Sequence, residues 1–116
     1  MVNNKDESIL IKILEEIDDL SAIMTGVDYE TFIRTSEKKK AVSMTLINIG
    51  ELANRISSEL MEDSEIPFRK IVDLRNHAAH GYFVLRFDFI WRTVKERIPE
   101  LKESIKKLLT QPPVPQ

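Results

Sequence analysis

With 116 residues, of which 42% are apolar and 31% charged, the chain has the composition of a single soluble globular domain. No apolar run approaches the ~18 residues that a membrane span requires, and the N-terminus lacks the layout of a secretory signal. The absence of cysteine excludes disulfides and thiolate metal sites, so we expect a cytoplasmic protein with no membrane partner. A net charge of -2 does not indicate nucleic-acid binding, which would therefore require a local basic surface.

Helical periodicity dominates the first half of the chain. Apolar residues at three- and four-residue steps predict a first helix over about 6–26, which ends at a glycine. Asp28 can cap a short second helix, because its carboxylate can accept hydrogen bonds from the first free amides. A longer helix is predicted over about 36–61, since its apolar stripe continues without interruption.

The second half is predicted to be helical as well. A helix begins after Asp63 or Ser64 and ends at Gly81, and residues 82–87 form a packed connector. The last helix contains Pro99, which should kink it because the ring displaces the carbonyl four residues earlier. We therefore predict an all-α, up-and-down bundle of four main helices plus a short extra helix, forming one domain over 1–110. The Pro-rich residues 111–116 are expected to form a flexible tail.

Five side chains with useful chemistry lie within eight residues, at the predicted end of the fourth main helix. They are Arg75, Asn76, His77, His80 and Tyr82. Each can act on a phosphodiester by binding charge, moving a proton or presenting a hydroxyl. Asn76 and His80 are four residues apart, so they share one ridge of a helix. Arg75 and His80 are five apart, which separates them by about 140° on an ideal helix.

That angle predicts how the site must be assembled. One straight helix cannot direct Arg75 and His80 at the same small target. They converge only if the helix unwinds near Gly81, or if a second copy of the chain supplies the complementary group. Two copies of His80 could then divide the roles of base and acid in RNA cleavage, while Arg75 binds the phosphate, and no metal or other cofactor is required.

Structural interpretations of the same residues remain open at this point. An arginine or histidine near a helix end often only favours the helix dipole, and Tyr82 could simply fill the core. His77 and His80 could share a metal, but no third ligand accompanies them, so we predict no metal site. Glu51 could pair with Arg75 or remain an exposed charge.

Three further features are expected to be mainly structural. Gly50 is expected to allow a neighbouring helix to approach closely, because a glycine has no side chain to obstruct it. The basic run at residues 37–40 is expected to be a solvated first turn, although it is the best candidate for additional phosphate contacts. Trp91 is expected in the core.

The chain resembles the HepT-like toxins of the HEPN superfamily over roughly residues 9–109. The strongest motif is an arginine, four residues, a histidine, one residue and a tyrosine, which this chain has at Arg75, His80 and Tyr82. Supporting segments are residues 49–51, 66–68 and 88–101. Phe68 stands where a tryptophan is common in the family, and His77 is an additional imidazole with no role there.

The resemblance implies a homodimer with its motif helices lining a cleft, and a metal-independent endoribonuclease that acts as the toxin of a type VII-like toxin–antitoxin system. Arg75 and His80 would be catalytic and Asn76 supporting. Outside the family pattern, His77 could assist His80 or do nothing, and Glu51 is a further accessory candidate. The implied substrate is RNA, such as tRNA or mRNA. The implied partner is an MntA-like nucleotidyltransferase antitoxin, which transfers AMP to Tyr82. The alternative is a non-catalytic, nucleotide-binding or adaptor subunit of a nucleotidyltransferase complex.

Overall fold

Every secondary-structure element in the described part of the chain is helical. The computed structural model describes residues 2–76, 78 and 87–110. The helices are α1 Asn4–Met24, α2 Tyr29–Arg34, α3 Ser36–Ala53, α4 Ser58–Asp63, α5 Phe68–Val72, α6 Phe87–Arg92 and α7 Ile98–Thr110, with a π-helical turn at Thr93–Arg97. Residues 74–76 and 78 are helical too. The all-α prediction is confirmed for these residues, and the dimer remains a prediction.

Helices α1 and α3 form an antiparallel pair joined through α2. At one end, the Asp6 carboxylate accepts hydrogen bonds from the Ser57 amide at 2.9 Å and from its Oγ at 2.5 Å. At the other end, Lys38 Nζ donates to the Ile23 carbonyl at 3.4 Å. The start of α1 therefore lies beside the residues that follow α3, and the end of α1 lies beside the start of α3. The two helices must run in opposite directions.

The connection between α1 and α3 follows the predicted signals. Gly26 has φ +72, a left-handed conformation that a glycine adopts without strain, and it ends α1 as expected. Asp28 caps α2 by accepting from the Thr31 amide at 2.7 Å. This backbone hydrogen bond stabilises the charged carboxylate and lowers the pKa of Asp28 from its usual value.

The prediction of one helix over 36–61 is wrong, because α3 ends at Ala53 and α4 begins at Ser58. The amides of Arg55 and Ile56 bond carbonyls three residues back, which tightens the chain after α3. Ser57 then caps α4, its Oγ accepting from the Leu60 amide at 3.2 Å. The apolar stripe runs through this break, since Ile56 and Leu60 are both buried, and periodicity therefore did not reveal it.

The start of the following helix was also predicted incorrectly. Neither Asp63 nor Ser64 caps it: α5 begins at Phe68, with Pro67 at the capping position. The Ser64 hydroxyl accepts from the Ile66 amide at 3.0 Å and stabilises the preceding turn instead.

Pro99 disturbs the last helix where the sequence predicted a kink. The disturbance is a π-helical turn, in which the Ile98 amide donates to the Thr93 carbonyl five residues back. A wider turn gives room to the proline ring, which would otherwise meet the Lys95 carbonyl. The helix resumes as α7 and packs on α1, where Lys102 Nζ lies 3.2 Å from Asp18 Oδ1.

The core lies between these helices and draws on every one of them. Its largest fully buried apolar side chains are Phe32, Phe68, Leu10, Ile13, Ile17, Leu20, Leu46, Ile49, Ile90, Ile105 and Val42. Ala78, at the predicted motif, is completely buried as well. Trp91 packs against this core but is only partly buried, so its predicted core position is correct only in part. Within the described ranges, no helix has both the length and the apolar character that a membrane crossing demands.

Candidate active site

Arg75 is placed by the close approach of its backbone to α3. A Cβ atom added to Gly50 would lie 2.9 Å from the Arg75 amide nitrogen, 3.0 Å from the Arg75 Cβ and 3.1 Å from the Val72 carbonyl oxygen. Those distances leave no room for a side chain at position 50. Two of the three atoms belong to the backbone, which cannot move aside as easily as the end of a flexible side chain. The predicted role of Gly50 is therefore confirmed: the glycine brings the segment that carries Arg75 onto α3.

Glu51, the next residue of α3, binds the Arg75 side chain. Arg75 Nη1 donates to Glu51 Oε1 at 3.0 Å, with the arginine side chain 34% exposed and the glutamate side chain 51% exposed. The structure thus decides between the two interpretations of Glu51. An ion pair this exposed contributes at most about 1 kcal/mol to stability. The main effect of the pair is to orient the Arg75 side chain, because it holds one nitrogen of the guanidinium against Glu51. The guanidinium carries further N–H donors besides the one used in this bond.

Asn76 follows Arg75 and is exposed. Its backbone amide donates to the Asp73 carbonyl at 3.0 Å. The structure therefore brings the Arg75 and Glu51 side chains together, and Asn76 is the next residue of the same helical segment. Their catalytic, supporting and accessory roles stay predictions.

The remaining predicted site residues, His77, His80 and Tyr82, lie outside the described residues. The convergence of Arg75 and His80 therefore remains a prediction. Both ends of this interval contact α3. Arg75 meets Gly50, and on the far side Lys39 Nζ lies 4.7 Å from the ring centre of Phe87.

One polar group on α3 between those contacts has no partner. The Ser43 hydroxyl is buried and, among the described residues, makes no hydrogen bond. Two threonines in helices of this chain behave differently: the hydroxyls of Thr45 and Thr93 each donate to the carbonyl four residues earlier.

A cluster of aromatic rings and lysines near Phe87 was missed by the sequence analysis. Trp91 packs edge-on against Tyr29 at 5.5 Å between ring centres, and Lys95 Nζ lies 4.7 Å from the Trp91 ring centre. The basic run at 37–40 was recognised, but the aromatic contacts depend on α6 folding back beside α2. No local pattern in the sequence carried that information.

Residues 13–108 match the Ribonuclease HepT-like family, and the chain belongs to that family. The resemblance found in the sequence is thereby confirmed.

Several curated relatives match along most of their length. "Putative RNase MJ1216" of Methanocaldococcus jannaschii is 33% identical over 104 residues, which cover 89% of this chain and 86% of the relative. "Putative RNase TTE0752" of Caldanaerobacter subterraneus subsp. tengcongensis is 31% identical over 98 residues, covering 84% and 88%. "Probable ribonuclease HepT" of Thermococcus cleftensis is 32% identical over 97 residues, covering 83% and 88%. No solved structure matches the chain significantly.

Proposed function

We propose that this protein is an endoribonuclease that cleaves RNA without a metal ion and acts as the toxin of a type VII-like toxin–antitoxin pair. Membership of the Ribonuclease HepT-like family is the observation that carries the proposal. Relatives named as ribonucleases, at about the same length as this chain, support the same activity. The arginine that begins the motif is held at an accessible surface, which suits a role in binding substrate.

The proposed reaction needs a base, an acid and a cation. One His80 imidazole takes the proton from a ribose 2′-hydroxyl, whose oxygen then attacks the adjacent phosphorus. The bond from phosphorus to the 5′-oxygen breaks, and a second imidazole donates a proton to that oxygen. Arg75 stabilises the additional negative charge on the phosphate oxygens, because its donors that do not bind Glu51 remain available. The products are a 2′,3′-cyclic phosphate and a 5′-hydroxyl.

The proposal includes a homodimer, because the imidazole that acts as acid comes from a second copy of the chain. The 140° or so between Arg75 and His80 on an ideal helix supports this arrangement. A single active site on the two-fold axis gives its phosphate two imidazoles and two guanidinium groups, one of each from either chain.

RNA cleavage by the purified protein tests the proposed activity directly. Cleavage should proceed with EDTA present and leave 2′,3′-cyclic phosphate ends, which resist 3′ tailing by a poly(A) polymerase until the phosphate is removed, and 5′-hydroxyl ends, which a polynucleotide kinase labels directly. The His80→Ala variant should lose most of the activity, about 10²–10⁴-fold for one proton-transfer group, with an unchanged circular dichroism spectrum. A folded His80→Ala variant that cleaves normally would refute the assignment. Absent cleavage, with transferase binding that survives Arg75→Ala, would favour the adaptor function.

Regulation by the partner is proposed at Tyr82. A nucleotidyltransferase transfers AMP from ATP to the tyrosine oxygen, and pyrophosphate leaves. The added bulk and negative charge would repel an RNA phosphate from the neighbouring site. Co-expression with the transferase should therefore add the mass of at least one AMP unit, and Tyr82→Phe should abolish that shift in intact-protein mass spectrometry. A shift that persists in the variant would place the modification elsewhere.

A further inference from the structure

Charge is distributed unevenly over this molecule. Residues 28–40 and 87–97 contain seven basic and five acidic residues, a net charge of +2, which leaves -4 for the rest of the chain. Residues 58–65 contain four acidic residues and no basic one. We call the first set the basic end and the second the acidic end.

Residues 28–40 and the acidic end lie at opposite ends of α1. The bond between Asp6 and Ser57 attaches α4 to the start of α1, and the bond from Lys38 to Ile23 attaches the start of α3 to its end. At 1.5 Å per residue, Asp6 and Ile23 are about 26 Å apart along the helix. Residues 28–40 and 87–97 thus carry a small local excess of basic side chains, although the net charge of the chain is negative.

Aromatic rings from two helices assemble at the basic end. Phe32 of α2 lies 6.2 Å from Phe87 and 5.6 Å from Trp91 between ring centres, and Tyr29 meets Trp91 at 5.5 Å. Phe32 and Phe87 are buried, whereas Tyr29 and Trp91 are only partly buried. Tyr29 and Trp91 thus keep some accessible ring surface, and aromatic side chains are groups against which nucleobases can stack.

Two lysines lie on these rings and are not neutralised. Lys39 contacts the Phe87 ring and Lys95 the Trp91 ring, each with Nζ 4.7 Å from the ring centre. Within the part of the chain that the structure describes, neither ammonium has a carboxylate within 4.0 Å. The rings hold these ammonium groups in place without cancelling their charge, since a ring carries no net charge. Both charges remain available for a phosphate.

We propose that Tyr29, Lys39, Trp91 and Lys95, together with the buried Phe87 ring that supports Lys39, form a surface that binds single-stranded RNA next to the active site, termed the lysine–aromatic surface. This inference rests on the proposed ribonuclease function. Lys39 and Lys95 bind successive phosphates, while Tyr29 and Trp91 stack against bases. The binding is indifferent to sequence, because every base has a face that can stack.

The position of the surface relative to Arg75 supports a shared substrate. Lys39 and Gly50 are eleven residues apart on α3, about 16 Å along its axis, and Gly50 contacts Arg75. A single strand spans that distance with a few nucleotides. The alternative groove beside Glu51 is a poorer phosphate site, since its lining has more carboxylates than cations: Lys12, Glu15, Glu16, Asn48, Glu51, Leu52 and Arg55.

Binding of a non-cleavable RNA separates docking from catalysis. The probe is a fluorescent 2′-O-methyl oligonucleotide, which has no free 2′-hydroxyl to attack the phosphate, and its Kd is measured by anisotropy over a range of salt concentrations. Lys39→Gln and Lys95→Gln should each weaken binding severalfold at low salt and reduce the slope of log Kd against log salt by about 0.7. Tyr29→Leu should weaken binding with the slope unchanged, because it removes stacking and no charge.

Lys106→Gln is the matched control, because it removes one exposed lysine from α7 and leaves the basic end intact. Its slope should equal that of the unmodified protein. If the two test variants at positions 39 and 95 also keep that slope, the surface does not bind RNA. The same conclusion follows if they lose only binding to the transferase, which would make the surface a protein interface.

Failure of the surface and failure of the proposed function have different signatures. A protein that cleaves RNA with kinetics independent of Lys39 and Lys95 is a ribonuclease whose substrate binds elsewhere. A protein that neither binds the oligonucleotide nor cleaves RNA refutes both proposals together.

Discussion

At the scale of single residues, Gly50 determines where Arg75 can be. A glycine inside a helix costs about 0.5–1 kcal/mol relative to alanine, so its presence in the middle of α3 needs a compensating gain. The gain is contact: with no side chain at position 50, the Arg75 backbone approaches α3 and its guanidinium reaches Glu51. The position of Arg75, a candidate catalytic residue, therefore depends on the absence of a Cβ atom at position 50.

Gly50→Ala is expected to displace Arg75 and to lower RNA cleavage. The added methyl group would lie within 3.1 Å of the Arg75 nitrogen and the Val72 carbonyl oxygen, so the segment must move outward. Overpacking of this kind typically destabilises a protein by about 1–3 kcal/mol. We expect a loss of cleavage rate at saturating RNA, together with a lower free energy of unfolding in urea.

Gly26→Ala is the control for that experiment. Nothing lies within 4 Å of a Cβ added at Gly26, but its positive φ makes any side chain strained, at a cost of about 1–2 kcal/mol. This variant should lose stability and retain full activity per folded molecule. If Gly50→Ala keeps its activity as well, the close approach does not position the site.

At the scale of elements, the carboxylate of Asp6 fixes the junction between α3 and α4. It is 1% exposed, and both of its oxygens accept hydrogen bonds from Ser57, the residue that caps α4. Asp6→Ala leaves the Ser57 amide without that partner, and should lower the free energy of unfolding by about 2–3 kcal/mol. Urea denaturation at neutral pH measures the loss. The exposed neighbour Glu7 provides the control, and equal effects of Glu7→Ala and Asp6→Ala would contradict the role of this junction.

The elements also show what local signals can and cannot predict. Gly26, Asp28 and Pro99 act through their own backbone or through partners three to five residues away, and the end of α1, the cap of α2 and the disturbance before α7 were predicted correctly. The break after Ala53 was not, because the apolar stripe continues through it, and the Asp6 carboxylate that binds Ser57 at this junction lies about fifty residues earlier in the chain. The candidate site divides in the same way: residue types and spacing identified Arg75, Asn76 and Glu51, whereas the lysine–aromatic surface required the packing of α6 on α2.

At the scale of the whole molecule, the proposed dimer makes one site depend on two chains. If two His80 imidazoles share base and acid roles, a dimer of one native chain and one His80→Ala chain is inactive. Unfolding and refolding an equal mixture would then leave about one quarter of the dimers active, from random pairing of the two chains. The specific cleavage rate of that mixture measures the fraction.

Independent sites give a different result in the same measurement. When each chain works alone, half of the native activity survives in the equal mixture. That outcome, or sedimentation as a monomer at the assay concentration, would show that His80 does not act across a two-fold axis.

The acidic residues at 58–65 and the lysines at 38–40 lie at opposite ends of α1, which favours an electric dipole moment along that helix. Near a polyanion such as RNA, a protein with a dipole moment experiences a torque before contact. The torque turns the positive end of the protein towards the polyanion. Steering of this kind raises association rates by about 10–10³-fold and weakens steeply as ionic strength rises. If the protein binds RNA as proposed, the four acidic residues at 58–65 would favour capture without touching the RNA, because repulsion turns their side of the protein away from it.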